Sequence, residues 1–160
     1  MLGLIFPVDL LKSASVAYIH YLSFMLCFGA LIYERISLKA NPNRQEAISM
    51  VIADIIYGIA GIALLVSGIY RVIKFGQGSD FYTQNPIFWT KIVVFALVGS
   101  LSLYPTITYV LWAIPLSKGA LPQVTENLAS RLRLIINVEL IGFASIPFIA
   151  TLMARGIGLA

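Results

Sequence analysis

The chain has 160 residues, 59% of them hydrophobic and 11% charged, with a mean hydropathy of +0.91. Soluble domains run at about 45–50% apolar and about 25% charged, so a water-soluble fold of this length is excluded: it could not hide that much apolar surface. The net charge of +4 comes from basic residues lying between apolar runs, which suits lipid headgroups; no basic cluster is interleaved with aromatics, so nucleic acid is not an expected partner.

A membrane-spanning helix needs about 20 mostly apolar residues, and four stretches qualify: 13–33, 49–73, 86–112 and 132–154. They predict an all-α fold, a four-helix antiparallel transmembrane bundle with short loops, forming a single transmembrane domain over 1–160 with the lipid bilayer as its surroundings. Ahead of the first stretch, residues 1–9 read as an interfacial segment that Pro7 keeps from joining the helix. They lack a signal peptide's order of charge, apolar run and cleavage site, so the first stretch stays as an anchor. It holds the chain's one cysteine, Cys27, which rules out an internal disulfide and reads as a small buried hydrophobe. It also holds the one histidine, His20. Neutral imidazole ligates metals and heme and relays protons, and equally serves as a hydrogen-bonding group between helices.

The loop at 34–46 contains the turn sequence Asn41-Pro42-Asn43. The second stretch places Asp54 about one turn in, followed by Tyr57, and ends on Arg71. Its small residues, Ala53, Gly58, Ala60, Gly61, Ala63 and Gly68, allow a neighbouring helix to approach closely. The next loop runs to Asn85 and Pro86, a cap and first-turn residue for the third helix. That helix opens with Phe88 and Trp89, which extend an interfacial belt from Phe81 and Tyr82, and carries Lys91 about one turn in. Further along, Pro105 in Tyr104-Pro105-Thr106 frees a backbone carbonyl that Ser102, Thr106 or Thr108 could satisfy. Residues 122–133 read as a short interfacial helix leading into the fourth span, where Glu139 lies about two turns in.

An even helix count puts both chain ends on one side, here side A. It carries Lys12, Arg71, Lys74, Lys91 and Arg155; the opposite side B carries Arg35, Lys39, Arg44, Lys118, Arg131 and Arg133, which leans side B towards the cytoplasm. Ionisable groups within spans are costly and mark function by default. His20, Lys91 and Arg71 gather towards side A, where Lys91 and Arg71 could also snorkel to lipid phosphates. Asp54 and Glu139 approach each other from side B, within reach of Arg35 or Arg131. With His20, and with Tyr57 and Tyr104 as connectors, they could also form a proton or ion path.

There is no histidine pair, HExxH, nucleophile elbow, phosphate loop or CxxC, so a dedicated hydrolase or kinase is not expected. Four helices without inverted halves do not read as a secondary transporter. A non-enzymatic assembly factor or small subunit of a membrane complex is the leading functional expectation, and a heme-binding redox protein the alternative.

Several blocks carry a resemblance: Tyr18-Ile-His20 with Gly29-Ala-Leu-Ile-Tyr-Glu34, Asp54-Ile-Ile-Tyr57-Gly58, Gly68-Ile-Tyr-Arg71, Asn85-Pro86-Ile-Phe88-Trp89-Thr-Lys91 and Ser102-Leu-Tyr104-Pro105-Thr106. Over about residues 15 to 150 the chain resembles a bacterial and cyanobacterial family of small four-helix membrane proteins of unknown function. The resemblance implies fold and a bacterial membrane, and no activity. The chain is also similar to the four-helix bacterial protoporphyrinogen oxidases, which are heme-associated and place a histidine in the first helix and a lysine at the start of the third. That similarity implies His20 as axial ligand, with Lys91 and Arg71 at propionates. The histidines that family carries around its third helix are missing here, so two histidine ligands within one chain are excluded. A five-coordinate heme, Met153 as partner, or a heme shared across a homodimer stays open.

Overall fold

The computed structural model describes residues 7–76 and 79–158. Helix α1 spans Val8–Ser37, α2 Arg44–Phe75, α3 Ser79–Thr83, α4 Pro86–Ser117 and α5 Glu126–Ala154. At about 1.5 Å per residue the four long helices measure about 44–48 Å, longer than the roughly 30 Å hydrocarbon layer. All four are long and apolar enough to cross a membrane. They pack antiparallel: α1 against α2 and α4 against α5 make the broad contacts, and narrower α1–α5 and α2–α4 contacts close a square without diagonal contacts among the described residues.

Local chemistry fixes where the helices start. Asn43 and Glu46 form a reciprocal capping box, with the Glu46 N–H donating to Asn43 Oδ1 at 2.9 Å and the Asn43 N–H donating to Glu46 Oε2 at 2.8 Å. Asn85 accepts from the Ile87 N–H at 2.9 Å ahead of Pro86, the cap expected from sequence. Thr125 accepts from the Leu128 N–H at 3.2 Å. These caps explain where the helices outrun the apolar stretches. Polar first turns such as Arg44-Gln-Glu46 are helical because a cap holds them, although hydropathy alone leaves them out. The expected interfacial helix at 122–133 is corrected on the same ground: from Thr125 onward, Glu126–Ala154 is one continuous helix. Of the interfacial segment expected at 1–9, residues 1–6 lie outside the described residues, and Val8 and Asp9 already belong to α1.

The core is not spread evenly along the bundle. No residue of α1 before Ser23, of α2 after Ser67, of α4 before Val98 or of α5 after Phe143 is buried. On side B the two loops pack together: Leu38, Pro42, Pro122 and Val124 are buried, and the Asn41 N–H donates to the Val124 carbonyl at 3.1 Å. On side A, α4 and α5 hold each other through buried Asn85, whose side-chain N–H donates to the Ile157 carbonyl at 3.5 Å. The buried core therefore lies towards side B and thins towards side A, where α3 touches both α2 and α4. The Phe24 and Phe143 rings, stacked with centroids 4.8 Å apart, join α1 to α5 near the end of the buried core.

The small residues of α2 divide. Ala53 and Ala60 are buried, and a Cβ on Gly68 would come within 3.1 Å of His20 Cε1, so these positions carry the close approach to α1. Gly58 and Gly61 do not: a Cβ there would meet nothing within 4 Å, because they face outward from the bundle. Around Pro105, none of the three expected hydroxyls turns to the freed Leu101 carbonyl. Ser102 donates to the Gly99 carbonyl, Thr108 to the Tyr104 carbonyl and Thr106 across the seam to Asp54.

Candidate functional site

Three carboxyl groups from three helices meet in the buried core, in the half of the bundle towards side B. Glu34 lies one turn from the end of α1, Asp54 nearly three turns into α2, and Glu139 in the first half of α5. Glu34 and Glu139 are each 1% exposed and Asp54 is 6% exposed. Each acts electrostatically on the others or is acted on by them, and all three act on Tyr109 of α4, which is 0% exposed. The stripe that brings them together is legible afterwards. Ser23, Cys27, Ala30 and Glu34 recur every three or four residues on α1, as do Ser102, Pro105, Tyr109 and Trp112 on α4, so each lies on the core-facing side of its helix.

Their hydrogen bonding is unequal. Thr106 Oγ1 donates to Asp54 Oδ1 at 2.7 Å, linking the two hairpins. Glu34 Oε1, Glu139 Oε1 and the Tyr109 hydroxyl are buried without any partner. The basic residues expected to pair with the acids go elsewhere: Arg35 donates to Asn137 Oδ1, and Arg131 is exposed. Among the described residues, the ion pairs are Lys12–Asp9, Lys39–Glu46 and Arg133–Glu126, and none reaches the three core acids. Like charges 4 Å apart repel by about 4 kcal/mol at an effective dielectric constant of about 20, so a fully ionised cluster of this kind needs added positive charge. No described group of three or more His, Cys, Asp or Glu is arranged to hold a metal ion. Tyr57 flanks the cluster, and Cys27 Sγ donates to the Tyr57 carbonyl at 3.7 Å. Tyr104 stands apart, facing outward at 43% exposure.

The second polar group lies towards side A. His20 Nδ1 stands 3.1 Å from the Leu64 carbonyl and 3.0 Å from Ser67 Oγ. Ser67 spends its own proton on the Ala63 carbonyl at 2.6 Å, and a carbonyl only accepts, so Nδ1 carries the hydrogen. The Nε2 lone pair is left free, with no hydrogen-bond partner among the described residues. Arg71 does not reach outward to the side A surface. It follows the backward tilt of helical side chains, donates to the Tyr21 hydroxyl at 3.4 Å and stacks over that ring at 5.1 Å. Lys91 Nζ sits 5.1 Å over the Phe88 ring. The three groups lie within electrostatic reach of one another.

Two concavities of the α1–α2 seam, of about 380 and 280 Å³, are apolar grooves, and neither is lined by His20. Glu34 and Tyr109, absent from the sequence-based candidate set, are the core residues that reasoning from span centres passes over. Glu34 reads as a helix end because the apolar run stops there.

The family model of predicted membrane proteins designated DUF2214 matches residues 12–158. The chain belongs to that family. It is therefore an integral, multi-pass membrane protein with four candidate spans. No curated protein and no solved structure matches it.

Proposed function

We propose that this chain is a non-enzymatic membrane protein, a small subunit or assembly factor of a larger complex, whose bundle interior carries a proton-exchange site. The observation that supports this reading is the convergence of Glu34, Asp54 and Glu139, with an unpartnered oxygen on each glutamate and no ion pair to any of the three among the described residues. Intramembrane carboxyl groups facing a bundle interior are the usual parts of proton relays. Asp54, the acid with a donor, holds charge against Thr106. Glu34 and Glu139, without donors, are the members that take up and give back protons. The test is an acid titration of the purified chain in weakly buffered micelles, followed with an indicator dye. Wild type takes up more protons than the Glu34→Gln/Glu139→Gln variant, the difference approaching two per chain. Identical titrations would remove the exchange site. Co-purification of a stable larger partner from native membranes supports the subunit role, and a stable isolated monomer counts against it.

A second reading rests on the free Nε2 of His20, held in the tautomer that suits an axial ligand. With no second histidine in the chain, a heme with two histidine ligands here would be shared with a second copy or a partner. Oxidised and reduced absorption spectra decide it: a Soret band lost in His20→Ala supports heme, and a preparation that stays colourless after heme is added excludes it.

A further inference from the structure

The buried polar side chains of the long helices follow one another along the bundle axis, and direct contacts fix their levels. Glu34, one turn from the end of α1, lies nearest side B. Asp54 stands level with Thr106 through their 2.7 Å hydrogen bond. One turn further towards side A, Tyr57 stands level with Cys27, whose Sγ donates to its carbonyl, and Ser102 is one turn on from Thr106. Glu139 belongs to this level, because it precedes Phe143 by one turn and Phe143 stacks on Phe24, the neighbour of Ser23. Ser23 forms the next level and His20 the one after, held to Leu64 and Ser67. Tyr57, Ser102, Ser23 and Ser67 are all buried, and no residue of α1 before Ser23 or of α2 after Ser67 is, so His20 marks the end of the core. Each step is about one helical turn, roughly 5.4 Å, which two hydrogen bonds of about 2.7–2.8 Å through a single water or hydroxyl span. Towards side B the described residues offer no such steps. The buried residues there are apolar, among them Met50, Trp112, Leu116 and Leu132, and Leu38 and Val124 close that end where the two loops pack. Tyr109 to Leu116 is two turns, roughly 11 Å, of apolar core. Arg35, beside Glu34 in sequence, is bonded to Asn137.

We infer that the carboxyl cluster exchanges protons with side A alone, by way of His20, Ser23, Ser102 and Tyr57, and is sealed from side B although Glu34 lies nearer to it. The route rests on the reading of the cluster as a proton-exchange site. A proton arriving from side A binds the free Nε2 of His20 and leaves from the same nitrogen, so the Nδ1–H stays bonded to α2. It then passes through water and hydroxyls: each oxygen takes a proton on a lone pair and releases its own to the next, ending on a glutamate carboxylate with every hydroxyl restored. Ser102 donates to the Gly99 carbonyl at 2.8 Å, and its oxygen keeps lone pairs to accept with. Charge crosses apolar membrane interior only at high cost, so two turns without a polar step make the cluster a dead end and not a channel.

The test places the full-length chain in lipid vesicles at a density low enough that a vesicle seldom holds more than a single copy. Both chain ends lie on side A, so capture through a terminal tag separates vesicles with side A outward from those with side B outward. An external acid jump is then followed with an indicator dye. With side A outward, wild type takes up the full count of protons measured in micelles; with side B outward it takes up none over the same time. Ser23→Ala and Ser102→Ala each slow uptake about tenfold, the effect of one lost hydrogen-bonding step. Their final count is unchanged, which shows the cluster intact and the chain folded. Ser102→Thr keeps the hydroxyl and the rate, and Thr108→Val, which removes an outward hydroxyl of the same helix, leaves the rate unaltered. Uptake through side B, or Ala variants that run at the wild-type rate, overturns the route while leaving the exchange site standing. Uptake from neither face removes the exchange site itself, and the route with it.

Discussion

Replacing Thr106 by valine preserves the side-chain outline and removes the hydroxyl that donates to Asp54 Oδ1 at 2.7 Å. That distance falls where short bonds to a charged oxygen overlap neutral ones, at about 2.5–2.7 and 2.7–2.8 Å respectively. A net bond to a charged group is worth about 1.5–3 kcal/mol and a neutral one about 1 kcal/mol. Side-chain bonds between membrane helices average about 0.6 kcal/mol and reach about 1.7 kcal/mol. If Asp54 holds the charge of the cluster, the coupling sits at the top of that range, about 1.5 kcal/mol, or roughly tenfold in the folding constant. A double-mutant cycle of Thr106→Val and Asp54→Ala, read by reversible unfolding in mixed micelles, measures it. Repeating the cycle from Asp54→Asn removes the charge and lowers the coupling towards 0.6 kcal/mol, the average for such bonds. A coupling near zero would refute the bond across the hairpin seam, and one unchanged by Asp54→Asn would refute the placement of charge.

The glycines separate by surroundings. Gly58→Ala and Gly61→Ala meet open space and should each stabilise the bundle by up to about 1 kcal/mol through helix propensity, whereas Gly142→Ala places its Cβ 2.6 Å from Val98 Cγ2 and should cost about 1–3 kcal/mol. Unfolding midpoints in the same micelles check both signs. His20→Leu strips Ser67 of its imidazole donor and should loosen the α1–α2 hairpin by about 1–2 kcal/mol, visible as faster amide exchange around Leu64 and Ser67.

Four apolar runs and their caps made the bundle legible, since only a helix satisfies its own backbone in lipid. The ends were less so. Hydropathy stops at Tyr33, but the α1 helix continues through buried Glu34 to Ser37. That lost turn hid Glu34, and with it the third acid. The same shift made Asp54 look shallow, because the capping box starts α2 at Arg44. The gathering of His20, Arg71 and Lys91 followed from depth alone. Its setting did not: no sequence pattern announces that the buried core thins towards side A, because the outward-facing and core-facing residues of α4 are equally apolar. Gly58 and Gly61 show the same blindness, since a glycine in a span looks alike whether it faces a helix or the outside.

The carboxyl groups themselves provide the most direct measurement. Infrared difference spectra of the purified chain, recorded between acidic and alkaline solution, report carboxylic C=O stretching of protonated groups. Proton exchange at the cluster requires bands from buried carboxyls that shrink in Glu34→Gln and again in Glu139→Gln, with both variants still folded. Bands unchanged by either substitution would mean that these acids do not exchange protons, and the account of the bundle interior would fail.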